Sequence, residues 1–113
     1  MSGPVRRKDL LSVLLNTHRT IERVEVKQID LAPGQAAGLH RHPCPVVGYV
    51  VAGSIKFQIE GNDVQRLRSG DAFFEPADTR IALFDNESAR DAATFIAFYL
   101  VRAQQSEIIE MLE

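Results

Sequence analysis

Along most of the chain, short apolar runs are cut by glycine and proline roughly every eight to twelve residues. From Thr20 to Leu31 the pattern alternates, with Ile21, Val24, Val26, Ile29 and Leu31 set against Glu22, Arg23, Glu25, Lys27 and Asp30. A period of two predicts a half-buried strand, and the slip between Ile21 and Val24 predicts a bulge or a strand start near Arg23. Pro33-Gly34 ends that strand with a turn. Further strands are predicted at Leu39 to His42, Val46 to Val51, Ile55 to Ile59, Ile81 to Phe84, and Ala93 to Val101, with Val64 and Leu67 in a short segment before the Ser69-Gly70-Asp71 turn and Phe73 and Phe74 just ahead of Glu75-Pro76. Ala52-Gly53-Ser54 and Glu60-Gly61-Asn62-Asp63 read as tight hairpins between neighbouring strands.

Two stretches depart from this rhythm. From Asp9 to Asn16 the leucines at 10, 11, 14 and 15 recur at helical spacing, with Asp9 as N-cap. One or two turns of helix are expected there, although Val13 and the leucines also suit an edge strand. Gln104 to Glu113 sets Ile108, Ile109, Met111 and Leu112 among Glu107, Glu110 and Glu113, which predicts a terminal amphipathic helix with Ser106 near its start. Its apolar side has to be covered by the rest of the fold or by a second subunit. Residues 1 to 8 are expected to form a loose tail. The whole is read as all-β, an antiparallel sandwich or barrel.

The chain's 113 residues suit a single domain spanning 1–113, with a core at about 20–101. A net charge of -2 argues against a nucleic-acid partner, since phosphate binding needs clustered Lys and Arg, and Arg6-Arg7-Lys8 reads as a solvated run. A single cysteine excludes an intrachain disulfide and suits a reducing compartment. Neither a signal-peptide pattern nor an apolar run of membrane-spanning length is found, so a cytoplasmic location without a membrane partner is expected.

Candidate chemistry is concentrated between Gly34 and Gly53, where two of the three histidines and the cysteine lie. In an extended strand His40 and His42 share one face while Arg41 points the other way. Two imidazoles about 7 Å apart at Cα can converge on one metal ion. The third histidine, His18, reads as an exposed side chain. No nucleophile triad or phosphate-cradling glycine loop is present.

Gly34 lies six residues before His40, and Gly53 eleven after His42. With the second frame Gly70-Asp71-Ala72-Phe73-Phe74-Glu75-Pro76-Ala77-Asp78-Thr79-Arg80-Ile81, this spacing resembles the two motifs of the cupin family over about residues 25 to 101. The resemblance implies a double-stranded β-helix, or jelly-roll, barrel of the RmlC-like type, often paired as a homodimer through its sheets. It also locates departures. The family's metal-binding glutamate, four residues after the second histidine, falls on Val46; the histidine of the second motif falls on Ile81, and its glycine on Asp78.

Cys44 is the nearest substitute ligand if residues 40, 42 and 44 stay extended, but the prolines on both sides impose angles that rotate side chains out of alternation. Glu75 faces inward if Phe73 does, with Phe74 competing for that place. Two functions are therefore expected. One is a dioxygenase-like or isomerase-like enzyme with a divalent metal (Fe, Mn, Ni, Cu or Zn) on His40 and His42, completed by water, Cys44, Glu75 or substrate. The other is a metal-free sensor or carrier that binds a small apolar or carboxylated molecule, with His40 and His42 as polar anchors or a base. The expected pocket is formed by Val46, Tyr49, Phe57, Phe73, Arg80 and Ile81, with Arg80 either pairing a ligand carboxylate or enolate or, as a loop arginine, simply solvated.

Overall fold

The computed structural model describes residues 3–15 and 18–112. Among them the regular elements are nine strands: β1 (Arg23–Leu31), β2 (His40–Arg41), β3 (Val46–Ala52), β4 (Ser54–Ile59), β5 (Gln65–Arg68), β6 (Ala72–Glu75), β7 (Ile81–Asn86), β8 (Ala93–Val101) and β9 (Glu110–Met111). They form a four-stranded sheet in the order β1-β8-β3-β6 and a five-stranded sheet in the order β5-β4-β7-β2-β9. Every pairing is antiparallel. The strand rhythm predicts an antiparallel sandwich or barrel, and the two sheets form the jelly roll that the family resemblance implies.

The core lies between the sheets. Along β8 the side chains of Ala93, Phe95, Ala97, Tyr99 and Val101 are buried, alternating with half-buried ones, so period two sets the inner face. Phe57, Phe73, Phe84 and Phe95 fill the middle, with ring centroids 4.7–5.9 Å apart in tilted and edge-on contacts. Gly48 is what lets Phe73 in, because a Cβ there would stand 2.0 Å from the Phe73 ring.

Three expectations are corrected. Ala52-Gly53-Ser54 does not close a hairpin, because β3 and β4 belong to different sheets. Gly53 carries the chain across at a φ of 93°, with the room a side chain needs taken by Ala93. The helix expected from Asp9 is not formed; residues 9–15 carry no regular structure, and Asn16 lies outside the described residues. A segment that short holds a helix only when packing supports it, and Leu10 and Leu14 are exposed.

The terminal helix is replaced by β9. Its ladder joins His40 to Met111 and Arg41 to Glu110, with the Leu112 amide donating to the Leu39 carbonyl at 3.0 Å. Arg41 and Glu110 add an ion pair at 3.0 Å. A ten-residue amphipathic helix is marginal in water, whereas the free edge of β2 offers unpaired backbone groups.

Candidate metal centre

β2 and the turn after it place both histidines in the core. His40 sits between Ile81 on β7 and Met111 on β9. His42, two residues on, turns its ring the same way, and its carbonyl is held by the Asp78 amide at 2.8 Å. Both side chains are buried, and their rings meet edge-on with centroids 5.0 Å apart.

Glu75 completes the group. It is the last residue of β6, and its register partner on β3 is Val46. Directly paired residues on one face hold their Cβ atoms about 5 Å apart, so a carboxylate at 75 reaches the space a glutamate at 46 would fill. Glu75 Oε1 lies 3.2 Å from His42 Nε2 and 3.7 Å from His40 Nε2. One ligand atom from each of the three lies within 4.8 Å of the others.

Backbone carbonyls fix which ring nitrogens face inward. His40 Nδ1–H donates to the Gly38 carbonyl at 2.7 Å, and His42 Nδ1–H donates to the Ile108 carbonyl at 2.6 Å. In the neutral rings both Nε2 lone pairs then point at the carboxylate. Three acceptors in contact require a positive charge among them, either protons on the imidazoles or a bound cation. Burial pushes the His40 pKa down, but the hydrogen bonds to Glu75 and to the Gly38 carbonyl outweigh it and leave the value raised. Burial pushes Glu75 up, and its contacts with His40 and His42 outweigh that and lower it.

Beside the group is a cavity of about 110 Å³. Its walls are mainly apolar, with Ile29, Leu31, Phe84 and Phe95 among them, and Tyr99 is the polar residue besides the three site side chains. The Tyr99 ring packs 5.6 Å from that of His42, and burial pushes its hydroxyl up to about 12.

The other expected site residues divide sharply. Val46 and Phe73 line the cavity. Ile81 and Phe57 are buried in the core away from it, and Tyr49 faces outward because residues 47, 49 and 51 have the opposite parity from Val46. Arg80 lies outside, exposed and paired with Glu60 at 3.0 Å, so it faces no buried ligand. Cys44 is fully buried but does not join the histidines. Burial pushes its thiol up to about 11, which keeps it protonated and a poor ligand. His18 is exposed.

A family model described as a cupin domain matches residues 27–99. The chain belongs to the cupin family. Among solved structures, this cupin is similar to the DMSP lyase DddQ from Ruegeria pomeroyi, with 18% identity over 78% of this chain and 42% of that one, at a TM-score of 0.65. An oxalate oxidase in complex with the substrate analogue glycolate is 21% identical over 79% and 46%, at a TM-score of 0.67. A cupin-like protein from Thermotoga maritima is 19% identical over 79% and 64%, at a TM-score of 0.67. The chain therefore spans from about two-fifths to under two-thirds of the length of these structures. No curated protein matches it in sequence.

Besides the Gly38 carbonyl and wall residues such as Ile29, Leu31, Phe84 and Phe95, reading the sequence alone leaves out three further parts of this cupin site: the Ile108 carbonyl, the Ile109 side chain and Tyr99. The first two reach the site because the C-terminal segment crosses it as β9, which no local pattern announces. Tyr99 is signalled by period two along β8, on the same face as Ala97 and Phe95.

Proposed function

We propose that this cupin binds one divalent metal ion through His40 Nε2, His42 Nε2 and a Glu75 carboxylate oxygen, and uses the remaining coordination positions to bind or transform a small molecule. The observation that carries the reading is three buried acceptors converging on one point while carbonyls occupy both Nδ1 atoms. Two histidines and one carboxylate on one side of an ion suit non-haem Fe(II) and related Mn, Ni, Cu or Zn sites. Such an ion supplies a Lewis acid and open positions for an oxygen donor. The protein's own residues hold the imidazole tautomers, place one negative charge and keep the surroundings apolar. Dioxygenase-like or isomerase-like chemistry fits this set.

The competing reading is a metal-free binding cavity in which protons on the imidazoles balance Glu75. The raised His40 and lowered Glu75 favour it at acid pH. Metal content decides between the two. Inductively coupled plasma mass spectrometry on untagged protein is expected to give about one equivalent of metal after incubation with Fe(II), Mn(II), Ni(II), Cu(II) or Zn(II) and gel filtration. Glu75→Gln keeps the shape and removes the charge, and is expected to weaken binding by at least tenfold. Protein that retains no ion from any of the five overturns the metal reading.

We also infer that two copies pair through the outer face of the four-stranded sheet. On that face β1 Val26, β8 Phe98, β3 Val47 and β6 Phe74 stand in one cross-strand row, with Ile96 and Tyr49 beside them. A solvated antiparallel face is normally polar. An isologous pair covers the same face on both copies.

A further inference from the structure

The metal reading leaves open which molecules the cavity takes, and its charge inventory narrows them. Among the described residues, the side chains lining it include no lysine or arginine. Arg80, the one cation expected there, is turned outward onto Glu60. Glu75 supplies one negative charge against the two positive charges of a divalent ion, so one further negative charge brings the site to neutrality. A second would be buried against Leu31, Phe84 and Phe95 without a partner, which is costly in an apolar surround.

Size narrows the choice again. An apolar cavity of about 150 Å³ holds a benzene molecule. At about 110 Å³ this one has room for roughly four to six non-hydrogen atoms.

The third observation is Tyr99. It is 5% exposed, lines the cavity, and makes no side-chain hydrogen bond among the described residues. Yet no fully enclosed side-chain oxygen or nitrogen there lacks a partner. The hydroxyl is thus neither fully enclosed nor committed to a side-chain partner, and on a residue that lines the cavity it is free to donate to a molecule held there. Tyr99, Val46 and Glu75 lie in one cross-strand row, with Val46 paired to both of the others, so the Tyr99 and Glu75 side chains leave the same face of the sheet, and both line the cavity.

Resting on the metal reading, we propose that the site selects a short monocarboxylate with an apolar chain, one negative charge balancing the ion and Glu75 and a carboxylate oxygen accepting a hydrogen bond from Tyr99. Dianions of the same size are rejected. The chain of the ligand lies against Ile29, Leu31 and Phe95, so affinity rises as carbons are added until the cavity is full.

The test uses Co(II)-loaded full-length protein, read by visible absorption of the bound ion and by calorimetry. The probes are acetate, butyrate, hexanoate, n-butanol and oxalate; butyrate and oxalate have equal numbers of non-hydrogen atoms. Butyrate is expected to perturb the spectrum and to bind more tightly than acetate, hexanoate or n-butanol. Oxalate is expected to form no complex with the loaded protein, leaving the spectrum unchanged or merely removing the ion. Tyr99→Phe is expected to weaken butyrate about tenfold while leaving Co(II) affinity unchanged. A stable oxalate complex as tight as that of butyrate overturns the charge argument. Unchanged butyrate affinity in Tyr99→Phe overturns the role of the hydroxyl. Protein that takes up Co(II) but ignores butyrate refutes this inference alone, whereas protein that takes up no Co(II) refutes the metal reading and this inference with it.

Discussion

At His40 the imidazole is caught between a carbonyl on one nitrogen and a carboxylate on the other, and what satisfies the second contact depends on pH. In the metal-free protein the raised His40 value means that the folded state holds its proton more tightly than the unfolded chain does. That contribution is fully present below the ordinary histidine value of 6.5 and is lost as pH rises through the folded value. Glu75, lowered from 4.5, contributes in the opposite sense, present above its ordinary value and lost as pH falls through the folded one. The pair therefore supports the metal-free fold most between pH 4.5 and 6.5. A metal ion needs the neutral imidazole, so its contribution grows as pH rises. Thermal melts with chelator or with excess Zn(II) are expected to differ little at about pH 5 and by several degrees at about pH 8. Equal metal stabilisation at both pH values contradicts ligation through His40 and His42.

Single elements carry more of the site than their length suggests. β9 is two residues long, yet the segment leading into it gives His42 its hydrogen-bond partner and supplies Ile109 to the cavity wall. Truncation after Gln105 removes the Ile108 carbonyl without touching any of the three proposed ligands. Loss of such an orienting partner is expected to cost about tenfold to hundredfold in metal affinity, measured by competition with a chromogenic chelator. Affinity equal to that of the full chain shows that β9 merely covers the edge of β2. Gly48 makes the complementary point on β3. Gly48→Ala forces the Phe73 ring out of its place or the strands apart, at an expected cost of about 1–3 kcal/mol in urea unfolding. A variant as stable as the parent means that Phe73 swings aside freely. Both cases show how much of the site is readable locally. The inward aim of Glu75 follows from that of Phe73 by period two, but its place beside Val46 comes from the β3–β6 pairing, which joins residues far apart in sequence. The leucines of residues 10 to 15 and the isoleucines near the C-terminus carry helical spacing that the fold does not use, because short segments follow the edges offered to them.

On the scale of the whole molecule, the jelly roll is legible from strand rhythm and the glycine frames, whereas the outer surface is not. Val24 and Val26 look in sequence like members of the same apolar stripe as Ile29 and Leu31. Their parity is opposite, and in β1 they face outward at 52% and 56% exposed while Leu31 is buried. β8 has the same doubled character, with Ile96, Phe98 and Leu100 on the outer side of a strand whose inner side is already core. A strand apolar on both faces is one that expects cover on both. The radius of gyration, 15.0 Å, also exceeds the ~13 Å typical of one compact core of this length, as exposed terminal segments require. A second copy laid on the outer face covers Val26 and its row without altering the cavity, which opens between the sheets. Val26→Lys puts a charge on the edge strand of that face, at the end of its apolar row and at a position already more than half exposed, so the isolated fold tolerates it. Light scattering coupled to size exclusion is expected to give a dimer for the parent and a monomer for Val26→Lys, with metal affinity equal in both. A parent that runs as a monomer at about 100 μM, far above the concentrations at which standard-size interfaces hold, removes the dimer and leaves the apolar face to some other partner.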